Sequence, residues 1–164
     1  MANLKDRNYT ENQIALEIII RKSEYHAPDG ISDWVHADLA FDFGERFQRL
    51  IADSDGQSID DIEKLITLIR AVTNGQRQDF DFSPFEPDYN LRIRVLRGGK
   101  YVPPDDFECD CMIDIAGKSG YCGSGPAIKL NPDREALIKF ADGLKLELAV
   151  VRKECGLQAA IDKV

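Results

Sequence analysis

Residues 107–115 alternate between two kinds of side chain along their whole length. The odd positions are Phe, Cys, Cys, Ile and Ile, and the even positions are Glu108, Asp110, Met112 and Asp114. Successive side chains of a strand point to opposite faces of the sheet, so the pattern predicts a strand with one buried face and one face in water. The same period-two pattern recurs along the chain and constrains it to a fold rich in strands.

Strand patterns and helical patterns follow one another in a simple order: three strands, a helix, four strands, a helix. The predicted strands are 14–20, 35–43, 47–53, 80–82, 91–95, 107–115 and 127–130. Short connections favour antiparallel neighbours. We therefore predict an α+β fold, with an antiparallel sheet of about seven strands and two helices packed on one face.

The apolar faces of these elements predict one shared core. Its expected members are Ile18, Leu39, Phe41, Ile66, Ile69, Ile93, Ile113, Phe140 and Leu144.

Both predicted helices begin at capping residues. Ser58 can accept hydrogen bonds from the free N–H groups of a first turn, and the helix that it starts is expected to end at Asn74. Asn131 is the expected cap of the second helix, with Pro132 at its first position. Gly156 is expected to end that helix.

The chain of 164 residues is predicted to form a single domain over 1–164, with residues 1–12 and 157–164 loose. Residues 1–7 lack the apolar core of a signal peptide, and no apolar run approaches the ~20 residues of a membrane span. Since four cysteines without an export signal are not typical of a disulfide scaffold, reduced thiols and a cytoplasmic location are expected.

The net charge restricts the classes of partner. It is −8, and the isoelectric point is about 4.8. A nucleic-acid binder needs a basic stripe, and an anionic membrane surface attracts cationic segments, so neither partner is expected. A basic protein is a compatible partner, because opposite charges steer association. The alternative is that the net charge serves solubility alone.

Cys109 and Cys111 are predicted to lie on one face of the same strand. Two thiols at this spacing can hold a soft metal, but zinc takes four ligands, and Cys122 and Cys155 lie in other elements. We therefore predict that these thiols pack in the core and that the protein has no metal and no cofactor.

Three predicted strands carry charges on their wet sides. These charges are Asp79 and Asp81, then Arg92 and Arg94, then Glu108, Asp110 and Asp114. If the strands are neighbours in this order, acidic, basic and acidic rows alternate and stabilise the sheet by roughly 0.2–1 kcal/mol per pair. The functional alternative is an electrostatic docking face.

An acidic cluster is the first candidate for partner binding. It contains Asp105, Asp106, Glu108 and Asp110 and spans a loop and the strand that it enters. The neighbouring arginines should offset the inner members, so Asp105 and Asp106 are expected to be the freer ones.

Trp34 and His36 are the second candidate. They lie on the polar side of the second predicted strand, and aromatic side chains are enriched at binding hot spots. The alternative is that loops of the same protein cover them.

No catalytic residue is predicted, because no serine or cysteine can be paired with a histidine from the sequence. The alternative function is an enzyme or a small-ligand protein that uses the glycine-rich loop Gly117–Gly125. Gly117-Lys118-Ser119 resembles the end of a phosphate-binding loop, but Met112 stands where that motif requires glycine.

Three stretches resemble small bacterial immunity proteins of the WapI-like group. They are 41–47 (FDFGERF), 58–65 (SIDDIEKL) and 137–140 (LIKF), and the resemblance spans residues 14–150. The 98–106 connection and the 117–125 loop depart from the family's pattern. The resemblance implies a protein that binds and blocks a toxin, with no active site of its own. The expected function is thus a non-enzymatic binding protein that neutralises a basic toxin domain.

Overall fold

A computed structural model describes residues 2–22, 34–52, 57–84, 89–96, 106–113 and 125–154. The strands in these ranges are β1 (Ala2–Lys5), β2 (Ile14–Lys22), β3 (Trp34–Phe43), β4 (Leu50–Ala52), β5 (Gln57–Ser58), β6 (Asp79–Phe82), β7 (Tyr89–Val95), β8 (Phe107–Ile113) and β9 (Ala127–Leu130). The helices are α1 (Tyr9–Asn12), α2 (Ile59–Thr73) and α3 (Arg134–Glu154), and Gly44–Arg46 is a 3-10 turn.

The strands form two antiparallel sheets. The five-stranded sheet has the order β1-β2-β3-β4, with β5 also paired to β3, and the four-stranded sheet has the order β6-β7-β8-β9. In each half of the chain four antiparallel strands in sequence order precede a long helix, and the first half also contains α1 and β5. The predicted antiparallel α+β class is confirmed. The predicted single sheet is divided into two because α2 carries the chain away from the first sheet. Strand alternation does not indicate where one sheet ends and another begins.

The two long helices cover the apolar sides of the sheets. α2 packs on β5, β6 and β7, α3 packs on β1 and β2, and the helices contact each other. One cluster of buried apolar side chains joins both sheets and both helices, and every residue predicted for the core belongs to it. In the described part of the chain, no helix combines the length and apolar character needed to cross a membrane.

The prediction that residues 1–12 are loose is wrong for the part that the structure describes. β1 pairs with β2 along its length, and Ala2 and Leu4 are buried. α3 approaches β1 closely, since a Cβ atom at Gly143 would lie 3.1 Å from the Cα of Ala2. The alternation in 2–5 is too short to be recognised as a strand in the sequence. Residues 155–164 lie outside the described ranges.

The third predicted strand, 47–53, is shorter than expected. Gly44 has a positive φ of 72° and opens the 3-10 turn, and regular pairing to β3 covers only Leu50–Ala52. A Cβ atom at Gly44 would lie 2.9 Å from that of Gln13, so glycine is required there for space as well as for conformation.

The helix starts agree with the prediction in one case out of two. Ser58 Oγ accepts a hydrogen bond from the Asp61 N–H at 3.0 Å and completes the predicted cap of α2. The predicted cap of α3 at Asn131 is wrong by two residues. α3 begins at Arg134, and the Asp133 carboxylate accepts from the Ala136 N–H at 2.7 Å.

Candidate functional site

The four-stranded sheet brings the charged rows together. Arg94 lies between Asp79 and Glu108, and Arg92 lies between Asp81 and Asp110. The structure thus meets the condition under which acidic, basic and acidic rows alternate, and β9 adds Lys129 opposite Asp110. Asp114 of the predicted acidic row lies outside the described residues. We call the outer side of this sheet the charged face. Its residues are Asp79, Asp81, Asn90, Arg92, Arg94, Glu108, Asp110, Met112, Ala127 and Lys129.

Glu108 is held inside the charged face by two cations. It is only 7% exposed, forms an ion pair with Arg94, and contacts the Lys129 Nζ at 2.5 Å. A carboxylate that is buried between two partners stabilises the sheet and has little capacity left for another protein.

Asp106 is also buried, which contradicts the expectation that it is free to bind. It is 5% exposed, forms an ion pair with Arg7, and bridges the backbone of Asp133. The prediction is wrong because Arg7 pairs with Asp106 from the segment after β1, a segment predicted to be loose. Asp105 lies outside the described residues.

Asp110 differs from its neighbours because it has no partner among the described residues. Its carboxylate is half-buried and makes no hydrogen bond or ion pair with them. The two cationic side chains in register with Asp110, those of Arg92 and Lys129, contact other carboxylates. The Arg92 Nε lies 3.5 Å from the Asp81 Oδ1, and Lys129 contacts Glu108.

Asp110 lies in a depression of about 350 Å³ on the charged face. We call it the Asp110 depression. The side chains around it are Asp81, Asn90, Arg92, Met112, Ala127 and Lys129. The depression thus combines acceptor oxygens from two carboxylates and an amide with an apolar wall from a methionine and an alanine. This arrangement suits a cationic side chain whose methylene stem needs an apolar contact.

Trp34 and His36 lie on the outer side of the other sheet. Both are half-buried on β3, where His36 is in register with Arg21 and Trp34 with Ser58. The structure therefore places the two predicted patches on different sheets. The Trp34 end of β3 nevertheless meets the four-stranded sheet, as a single side-chain contact shows.

Gln57 makes that contact between the sheets. Its backbone pairs with Val35, next to Trp34, and its side-chain Oε1 accepts a hydrogen bond from the Tyr89 hydroxyl at 3.1 Å. Tyr89 precedes Asn90, which lines the Asp110 depression. β7 therefore both contacts the first sheet through Tyr89 and lines the depression through Asn90 and Arg92.

The paired thiols point away from the charged face into the core. Cys109 and Cys111 are fully buried, and burial raises the pKa of both thiols above the ordinary 9.0. Their predicted packing role is confirmed. No group of three or more metal-ligating side chains occurs in the described ranges. Cys122, Cys155 and residues 117–124 of the glycine-rich loop lie outside those ranges.

Sequence reasoning missed Asn90, Ala127 and Lys129 as parts of the site. Lys129 stands between two buried residues, Ile128 and Leu130, so the alternation in β9 carried a signal for its outward position. Nothing in the sequence indicates that Asp110 lacks a partner among the described residues, because this depends on which carboxylate each neighbouring arginine or lysine contacts.

No protein-family model matches this chain, and no curated protein matches it in sequence. Among solved structures, it is similar to one described as crystal structures of Trypanosoma bruciei MRP1/MRP2. The two share 10% sequence identity over 92% of each chain, with a TM-score of 0.41. A likeness at this level assigns no function.

Proposed function

We propose that this protein is a non-enzymatic binding protein that docks a cationic protein on its charged face. The resemblance to WapI-like immunity proteins makes a basic toxin domain the specific partner proposed. The observation that supports the proposal most directly is the half-buried carboxylate of Asp110, which has no partner among the described residues.

A lysine or arginine from a partner would complete the Asp110 depression. Arg92 and Lys129 border the depression, but each is already turned to another acid, Asp81 or Glu108. Their repulsion of an incoming cation is therefore reduced. Asp81 has a side chain that is 66% exposed and offers a second acceptor near the rim. A hydrogen bond to a charged group is worth roughly 1.5–3 kcal/mol, so one cation at Asp110 would contribute a measurable part of the binding free energy.

The net charge of the chain is compatible with the same kind of partner. It is −8, and opposite net charges raise the association rate of two proteins.

The first test needs no identified partner. Short peptides that contain lysine are titrated into the protein, and backbone amides are followed by NMR, with acetyl-lysine peptides of the same sequence as controls. We expect shifts in Asp110, Met112 and Lys129 with lysine and not with acetyl-lysine. Equal shifts for both peptides, or shifts confined to other surfaces, would remove the depression from the proposal.

The second test concerns the protein partner. The product of the neighbouring gene is co-expressed, and its association is measured with the parent protein, Asp110→Lys and Glu11→Lys. Glu11 is an exposed acid on α1, so the two variants change the net charge equally. We expect Asp110→Lys to weaken binding by at least about tenfold and Glu11→Lys by much less. Equal losses would mean that only the overall charge matters, and the docking site would be wrong.

A further inference from the structure

A groove runs between α2 and α3 on the side of the molecule that the helices form. The helices are antiparallel, since Glu63 contacts Arg152 near one end and Arg134 donates to the Thr73 carbonyl at the other. The groove has a volume of about 370 Å³. α2 lines it with Glu63, Ile66, Thr67 and Arg70, and α3 lines it with Lys145, Leu148, Ala149 and Arg152.

The lining follows the same spacing on both helices. Each helix contributes residues at i, i+3, i+4 and i+7, which form one stripe along its surface. The stripes run side by side for about 10 Å, the rise of seven helical residues. Ile66 and Leu148 are nearly buried and form the floor, while Thr67 and Ala149 are short and leave depth above it.

Positive side chains outnumber negative ones along the groove by one when Asp142, the partner of Arg70, is counted. Three cations line it and only one carboxylate, on a protein with a net charge of −8. Ion pairs join the helices toward the two ends of the groove, Arg152 to Glu63 at 2.5 Å and Arg70 to Asp142 at 3.1 Å. Lys145 lies between these pairs and has no acidic partner among the described residues.

We propose that this groove binds an acidic, amphipathic helix from a partner protein. A third helix fits between two antiparallel ones by placing apolar side chains at its own i, i+3, i+4 and i+7 positions. Those side chains would lie over Thr67 and Ala149 and contact the floor. A glutamate or aspartate on the flank would then pair with Lys145. This site is independent of the charged face, which is proposed to take a cationic group.

The test uses a synthetic peptide of about 14 residues, with leucine at helical spacing and glutamate on the flanks. A scrambled peptide of the same composition and a peptide with glutamine in place of glutamate are the controls. Binding is measured by fluorescence anisotropy at low ionic strength. We expect the parent protein to bind the patterned acidic peptide, with affinity that falls as salt is added, and to bind both controls at least about tenfold more weakly.

Two variants and one matched control locate the site. Lys145→Glu reverses the cation, and Ala149→Trp fills the groove from an exposed position. Lys153→Glu makes the same change of net charge on α3 outside the groove lining. We expect the first two variants to lose about tenfold or more in affinity and the third to change little. Circular dichroism checks that each variant is folded.

The proposal is wrong if the parent protein binds the scrambled peptide as well as the patterned one. It is also wrong if Lys145→Glu and Lys153→Glu have the same effect, or if no peptide binds more tightly than about 1 mM. Because the probe is acidic, failure here leaves the proposed docking of a cationic protein unaffected.

Discussion

The outer sides of the two sheets carry similar residue types but use them differently. We call the outer side of the five-stranded sheet the closed face. Its residues are Asn3, Lys5, Ala15, Glu17, Ile19, Arg21, Trp34, His36, Asp38, Ala40, Asp42, Ile51 and Ser58. On this face Glu17 and Asp38 are buried, paired with Arg49 and Arg21 respectively. On the charged face, by contrast, Asp110 is half-buried and has no such partner among the described residues.

The difference distinguishes a surface carboxylate that stabilises the fold through an ion pair from one that is available to a partner protein. On the closed face Ala15 and Ala40 are fully covered, although Arg21 and Ile51 on the same face are exposed. Ala127 of the charged face is exposed. A carboxylate introduced at a covered position should therefore change stability much more than one introduced at an exposed position.

The largest effect is expected for a charge placed on the closed face. Ala40→Glu buries a carboxylate where the nearby arginines are already paired, so the free energy of unfolding should fall by about 3 kcal/mol or more. Ala127→Glu makes the same change on the charged face beside Lys129 and should cost less than about 0.5 kcal/mol. Urea denaturation measures both.

A milder variant keeps this test informative if Ala40→Glu does not fold. Ala40→Val adds volume without charge and should still destabilise by about 1 kcal/mol or more through overpacking. Equal stability of the variants at 40 and 127 would show that the closed face is not closed in solution.

The second effect compares two acids two residues apart on the same side of β8. Glu108→Gln removes a carboxylate held by Arg94 and Lys129 and should lower the unfolding free energy by about 1–2 kcal/mol. The loss is moderate because those cations are 42% and 57% exposed and can be solvated instead. Asp110→Asn removes an acid without a partner and should change stability by less than about 0.5 kcal/mol.

This comparison also bears on the proposed function. If Asp110→Asn were as costly as Glu108→Gln, Asp110 would be committed to the fold, and its availability to a partner protein would be contradicted. Urea denaturation at neutral pH and moderate salt is sufficient to separate the two outcomes.

The sequence was informative wherever a residue's role is set by its neighbours along the chain. Alternation in β6, β7 and β8 predicted the charged rows, and Ser58 predicted the start of α2. Contacts between distant segments could not be read in this way. Arg7 and Asp106 are 99 positions apart, and nothing near either residue indicates the other. The division of the strands into two sheets likewise depends on contacts between distant segments.

The same limit explains why the candidate site was only partly predicted. Asp110 was named, but together with Asp106 and Glu108, which are equally acidic in the sequence and buried in the structure. Which acid stays unpaired depends on the cations that other strands supply, and Lys129 comes from β9 after a long connection. The docking role of Asp110 stays a prediction.

The smallest effect concerns the inner side of β8, where burial raises the pKa of Cys111 above 9.0. In the unfolded chain this thiol loses its proton near pH 9, whereas the folded protein keeps it. The folded state therefore binds more protons above pH 9, and stability that is complete below that pH is lost as pH rises. One such thiol should account for about 1 kcal/mol of the decrease in unfolding free energy between pH 9 and 10.

Cys111→Ala should remove that part of the pH dependence, although it also loses packing at every pH. Ile128→Val, in register with Cys111 on β9, loses packing without a thiol and should keep the parent's pH dependence. Urea denaturation at pH 8, 9 and 10 under reducing conditions distinguishes the two variants, and identical slopes would mean that the thiol reaches solvent in the folded protein.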